Sequence, residues 1–252
     1  MRNLLLIAAL FGSAALSQAQ KGFELGVNFT PANTWILNDE DFAEDQDQDF
    51  RGTFGYNVGL TAGFNLTEGF GITTGLLFSK QGQNYITAYE NVAKADQDVF
   101  SRNLNYLRVP ILVKVNGSLE GSSSSFFRIG PYFDLLRTAT FSYDDRGLTN
   151  FDQDKTNMNP YTTPILGTVY DDIYKKTVIG LMIEMGGQVN ITESAKMIFA
   201  LQLTGNFTNT EGDDSPTFFP STGTLGNRTR GNAYNVSGGL TVGFNYIVPM
   251  GK

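Results

Sequence analysis

The sequence contains neither cysteine nor histidine among its 252 residues. Disulfide bonds are therefore excluded, and so are thiol nucleophiles, histidine general bases and the usual ligands of zinc. A serine nucleophile of the Ser-His type is excluded as well, because no histidine is present to activate it. We predict no catalytic residues, no cofactor and no enzymatic activity.

Charged side chains are scarce too. They make up 17% of the residues, below the usual level of about 25%, and the formal net charge is −7. An acidic chain of this kind disfavours nucleic acid as a partner. Glycine (28 residues) and aromatics (13%) are plentiful instead, a mixture typical of closely packed strands with an aromatic outer surface.

The N-terminal segment is typical of a secretory signal. Arg2 precedes an apolar stretch over residues 4–16, and small residues follow at Ser17 and Ala19. The apolar stretch is too short to span a bilayer, and no later stretch approaches about 18 consecutive apolar residues. We expect residues 1–19 to be a signal peptide and residues 20–252 to form one domain.

Period-two alternation predicts the fold. In segment 54–65, Phe54, Val58 and Leu60 fall on one face of a strand, whereas Gly55 and Asn57 fall on the other, because successive strand side chains point in opposite directions. The same pattern recurs in eight segments: 23–29, 54–65, 70–79, 104–115, 127–136, 177–190, 197–207 and 234–246.

The connections between these segments alternate in length. The short connections are 65–69, 116–125 and 190–196, and the long ones are 30–53, 80–103, 140–176 and 208–232. Bacterial outer-membrane barrels have short periplasmic turns and longer extracellular loops. The sequence therefore predicts an all-β fold, an eight-stranded antiparallel up-and-down transmembrane β-barrel in the bacterial outer membrane, with lipid as its partner.

A soluble barrel is the alternative, with its apolar face inside and its polar face in water. Two observations favour the membrane. The polar rows consist of Gly, Asn and Thr rather than Lys and Glu, which suits a narrow filled interior. Aromatic residues lie towards the segment ends, as Phe70 and Phe78 do, and this is typical of interfacial girdles.

One strand carries a family-like motif. Residues 105–114 (NYLRVPILVK) resemble the mid-chain pattern Y-L-x-[IV]-P-[IL]-L-x-K of the PorT-type outer-membrane β-barrel family, and residues 127–133 (FRIGPYF) resemble the strand that follows it. The resemblance implies an outer-membrane barrel and assigns no activity. The family often has an acidic residue where Arg108 stands, so the resemblance implies that the interior of this barrel differs in polarity from that of other members.

Six charged residues fall on the predicted inward face: Glu24, Arg108, Lys114, Arg128, Asp134 and Glu184. The hairpin of segments 104–115 and 127–136 is expected to place Arg108 near Asp134 and Lys114 near Arg128, with Glu184 joining Arg108 and Asp134. Such a network is either a structural plug or an ion gate. The plug is favoured, because buried charges must be paired and a barrel this narrow is filled.

The first long connection contains Asp45, Asp47 and Asp49. Alternate carboxylates of this kind suit Ca²⁺, which takes oxygen ligands, but the EF-hand pattern fails because Phe50 stands where glycine is required. A solvated acidic loop is the favoured interpretation, and no other metal site is predicted.

These observations together predict a non-enzymatic integral outer-membrane protein with a structural or surface-interaction role. Two alternatives stay open. The barrel could be a small pore for ions or solutes, or it could be a subunit of an envelope secretion machine that contacts envelope proteins through its extracellular loops.

Overall fold

The computed structural model describes residues 22–38, 48–67, 69–87, 99–117, 122–144, 163–164, 174–212, 217–219, 224–226 and 232–249. The predicted signal peptide, Asp45, Asp47 and the side chain of Asp49 lie outside the described residues. Within those ranges, no helix is long and apolar enough to cross a membrane.

The described part of the chain contains strands only. Their bounds are β1 Gly22–Asn38, β2 Gln48–Asn65, β3 Phe70–Thr87, β4 Val99–Asn116, β5 Ser123–Asp144, β6 Thr163–Pro164, β7 Thr177–Asn190, β8 Ala195–Asn206, β9 Thr217–Phe219, β10 Thr224–Gly226 and β11 Ala233–Pro249. Eight of them pair in the order β1-β2-β3-β4-β5-β7-β8-β11, and β11 pairs back onto β1. The predicted closed, eight-stranded antiparallel barrel is confirmed. The short β6 adds to β5, and β9 pairs with β10.

The stagger of the strands sets the shape of the barrel. Starting at Gly22, paired residues lead strand by strand to Asn65, Gly71, Lys114, Arg128, Glu184, Gln202, Gly239 and back to β1 at Ala32. The path leaves β1 at residue 22 and returns at residue 32, a stagger of ten residues. For eight strands this corresponds to a strand tilt of about 40°.

The predicted assignment of side chains to the outer and inner faces of the sheet is correct in the lower part of the barrel. Leu60 and Leu240 point outward with 64% and 65% of their surface exposed, whereas Asn57 and Thr241 point inward and are buried. Averaged over the eight barrel strands, outward apolar side chains cover about ten residues of a strand. At about 3.3 Å per residue and a tilt of about 40°, this band is about 25 Å tall, the height of a lipid-facing surface.

The strands continue well beyond this apolar band, so the predicted long loops were too long. β1 runs on to Asn38, and β4 begins at Val99 rather than at residue 104. Trp35, which falls in a predicted loop, lies on β1 opposite Val236 of β11. The alternation that marked the strands fades there because the outward positions are no longer in lipid and become polar.

The two faces exchange character above the band. Outward positions carry residues such as Asn33, Lys80 and Asn105, while the interior becomes apolar. A buried cluster fills this upper interior: Ile36, Tyr85, Leu104, Tyr106, Leu136, Ala139, Tyr174, Val178 and Ala233. This part follows the rule for a barrel in water, because water solvates the outside and apolar packing stabilises the inside.

Candidate functional site: the charged barrel interior

The interior charges are the chemically most distinctive feature of the barrel. Among the residues that the structure describes, four ion pairs lie inside it with every side chain at most 4% exposed: Glu24–Lys114, Arg128–Glu184, Arg108–Asp134 and Arg102–Glu211. We call this set the charge ladder, because the pairs follow one another from the short-turn end to the upper interior. Buried charges of this kind are tolerated only when they are paired and hydrogen-bonded.

The lowest pair joins β1 to β4. The Nζ of Lys114 donates to both carboxylate oxygens of Glu24, at 2.9 and 2.8 Å. The side-chain amides of Asn65 (2.9 Å) and Asn245 (3.4 Å) also donate to that carboxylate. β1 and β4 are not neighbours in the sheet, so this pair forms across the interior.

The second pair lies on adjacent strands. Arg128 is the register partner of Glu184, and its Nη1 donates to Oε2 of Glu184 at 3.2 Å. Gln202 donates to the other oxygen of Glu184 at 2.8 Å and accepts a hydrogen bond from Asn57 at 2.6 Å. The carboxylate thus has partners on both oxygens.

The predicted position of Glu184 was wrong. It was expected to join Arg108 and Asp134, but the register places Val178 opposite Asp134 and Glu184 opposite Arg128. The Lys114–Arg128 adjacency is present as a register pair. The repulsion between these two cations is relieved because each one reaches a different glutamate.

The third pair has bidentate geometry. Arg108 Nε and Nη2 donate to the two oxygens of Asp134, each at 2.7 Å, and Nη1 approaches Asn57 Oδ1 at 3.5 Å. The guanidinium lies 4.0 Å from the ring centroid of Tyr132. Arg108 and Asp134 are register partners on the β4–β5 hairpin, which is the adjacency that the sequence predicts. A bidentate arginine–carboxylate pair fixes orientation as well as charge.

The uppermost pair was not found from the sequence. Arg102 Nη1 donates to Glu211 Oε1 at 2.5 Å, and its guanidinium lies 5.3 Å from the ring of Tyr85. Asn38 donates to the second oxygen of Glu211 at 3.4 Å. Both charged residues fall in predicted loops. One signal was available, since Arg102 has the same parity as the inward-facing Leu104.

Little space remains between these side chains. A cavity of about 10 Å³, lined by residues that include Asn28, Thr73 and Arg128, lies at mid-height; this is room for about one water molecule. Arg128 Nε and Nη2, Asn28 Oδ1 and Thr73 Oγ1 have no partner among the described residues. One bridging water has the donors and acceptors to satisfy several of them.

The carboxylates of the described interior are engaged in ion pairs. Within the ranges that the structure describes, no three carboxylates lie close enough together to hold a metal ion. Each carboxylate of the charge ladder is engaged by a cation. The arrangement therefore pairs the buried charges with one another and links strands that are distant in the chain.

Comparisons with known proteins agree with this architecture. The model of the family "Outer membrane protein beta-barrel domain" matches residues 13–212, which is more than half of the chain. No curated protein matches the sequence.

Several solved structures are similar. The outer membrane protein OprG from Pseudomonas aeruginosa is 13% identical with a TM-score of 0.47, covering 92% of this chain and 99% of that one. Neisserial surface protein A is 10% identical with a TM-score of 0.45, covering 92% and 100%. Ail of Yersinia pestis, in complex with the heparin analogue sucrose octasulfate, is 11% identical with a TM-score of 0.37, covering 89% and 99%.

Proposed function

Since this chain belongs to the family of outer membrane protein beta-barrel domains, we propose that it is a sealed, non-enzymatic barrel that holds a rigid β-structured wall above the outer membrane for contact at the cell surface. The protein is an outer-membrane β-barrel, and this address follows from the family. The sealed interior and the role of the wall are the parts that we propose.

One observation carries the proposal, namely that side chains fill the interior along the part of the barrel that the structure describes. The three lower pairs of the charge ladder occupy the lower and middle parts, and the Arg102–Glu211 pair with the buried cluster around Tyr85 and Leu104 closes the upper part. The cavity of about 10 Å³ holds about one water molecule. A conducting path needs a continuous column of water, which this packing does not accommodate.

The part of the strands that lies above the apolar band supports a role in contact at the cell surface. β1 to β5 and β11 extend past the apolar band, and the upper apolar cluster and the Arg102–Glu211 pair hold them together from inside. At the other end the strands join through short connections, which lie on the periplasmic side in such barrels. The wall and the long connections would then face outward, where envelope proteins or other surfaces can be contacted.

Electrical recording tests the sealed interior. Purified protein folded into a planar bilayer should give no steady conductance steps in 1 M salt. A porin recorded in the same chamber serves as the positive control. Reproducible steps from the wild-type protein would refute the sealed barrel and favour the pore. A double variant, Glu24→Ala with Lys114→Ala, removes the lowest pair and shows whether loosening the ladder creates conductance.

We also propose that the chain is a PorT-type member of the family. The motif in β4 supports this, because its distinctive residues point inward and organise the interior. Tyr106 accepts a hydrogen bond from Asn235 (3.1 Å), and Lys114 binds Glu24. Co-purification from mild detergent tests whether envelope partners accompany the barrel, and recovery of the barrel alone would contradict a role as a machine subunit.

A further inference from the structure

Three cations lie in a row on the outside of the barrel, at the outer edge of the apolar band. Lys80 on β3 pairs with Asn105 on β4, and Asn105 pairs with Thr138 on β5, next to Arg137. The amide of Leu136 donates to the carbonyl of Lys176 at 2.8 Å, which brings Lys175 beside Arg137. Neighbouring strands are about 4.8 Å apart, so the three charges lie within reach of one lipid headgroup.

The height of this row corresponds to a membrane surface. Phe78 lies two positions below Lys80 on β3, and Leu135 lies two positions below Arg137 on β5. Both apolar side chains are exposed. The last apolar outward side chains therefore lie directly beneath the cations. The short connections are at the opposite end, so the row lies at the extracellular boundary.

Among the residues that the structure describes, no acidic side chain neutralises the charge of the row. Glu24, Asp134, Glu184 and Glu211 are buried inside the barrel, and Glu193 lies in the connection between β7 and β8 at the other end. Within the described ranges, none of the three cations forms an ion pair with an acidic side chain. In a chain with a net charge of −7, a row of cations that pairs with none of the described acidic side chains is suited to an external anion.

We propose that Lys80, Arg137 and Lys175 form a binding site for the phosphate groups of a lipid in the outer leaflet. The guanidinium of Arg137 can engage a phosphate through two parallel hydrogen bonds, and the lysines add point charges on either side. Below the row, Leu135 is exposed and Leu107 is half-buried, and both side chains are placed to contact the acyl chains. Such combinations of basic and apolar side chains are how membrane proteins select anionic lipids. The proposal needs the membrane address and does not depend on whether the barrel is sealed.

Native mass spectrometry of the folded protein in detergent, titrated with diphosphoryl lipid A, tests the site. We expect the wild-type protein to retain bound lipid A. The triple variant Lys80→Gln, Arg137→Gln, Lys175→Gln should bind it on the order of 100-fold more weakly, at about 1 kcal/mol for each cation. Arg51→Gln is the matched control. Arg51 is exposed on the outer wall but pairs with Asn84, four residues beyond Lys80, and its loss should leave the affinity unchanged.

Several results would overturn the proposal. The first two are equal affinity of the wild-type protein and the triple variant for lipid A, and a loss of affinity in Arg51→Gln as large as that in the triple variant. The other two are binding of dephosphorylated lipid as tight as that of the diphosphoryl form, and complete displacement of the lipid by inorganic phosphate at equal concentration. Heat-modifiable migration on gels checks that each variant is folded. If the triple variant does not fold, Arg137→Gln alone carries the test, with an expected loss of about fivefold.

Discussion

The bidentate pair of Arg108 and Asp134 allows a quantitative test of the charge ladder. Arg108→Ala removes two 2.7 Å hydrogen bonds and the contact with the Tyr132 ring, and it leaves the fully buried Asp134 carboxylate without its cation. Removing one member of a buried pair typically costs about 3–5 kcal/mol, chiefly because the remaining charge is uncompensated. We expect the free energy of unfolding to fall by this amount.

The double variant Arg108→Met with Asp134→Leu separates pairing from packing. It removes both charges and keeps most of the volume, and such replacements are often close to neutral. We therefore expect the double variant to lose less than about half of what Arg108→Ala loses. Unfolding by urea in lipid vesicles, followed by heat-modifiable migration, measures both.

Two outcomes would refute this reasoning. If Arg108→Ala changed the free energy of unfolding by less than about 1 kcal/mol, the pair would not be a buried, desolvated pair. If the single and double variants were destabilised equally, the loss would come from packing around Tyr132 and not from an uncompensated carboxylate.

Two further predictions concern the outside and the inside of the band. Leu60→Arg places a charge at the middle of the apolar band, where it should lower the free energy of unfolding by about 2–4 kcal/mol and reduce the folding yield in vesicles. Asn33→Arg lies above the band and should lower the free energy of unfolding by at most about 1 kcal/mol. Equal folding yields of the two variants would contradict the assignment of the band. Inside, Gly180→Val should destabilise the barrel strongly, because a Cβ there would overlap the Tyr132 ring, while Gly63→Ala, whose nearest contacts are at 3.4 Å, should be tolerated. Thermal unfolding in detergent compares the last two variants, and a tolerated Gly180→Val would show that the ring does not pack against that glycine.

Sequence alternation was informative only where lipid acts on the outer face. In β7 the predicted bounds, 177–190, agree with the structure, because the strand lies almost wholly within the apolar band. In β1 the prediction ended at residue 29, although the strand continues to Asn38. Past Phe29 the outward positions carry Pro31 and Asn33, so the contrast between the faces is lost even though the backbone pairing continues.

The contacts of the candidate site were also predictable only in part. The adjacency of Arg108 and Asp134 could be predicted because a short connection joins β4 to β5 and fixes their register. The partner of Glu184 could not, because the 145–176 connection between β5 and β7 is long and leaves the register of that pair open.

The sequence by itself determined which side chains face lipid and which face inward, because that choice follows from the parity of each residue along its own strand. Only the tertiary structure decided which inward charges meet. Glu24 and Lys114 belong to strands that are not neighbours, and they face each other because eight strands with a stagger of ten residues close into a narrow tube. Parity is a property of adjacent residues, whereas closure and stagger are properties of the whole sheet.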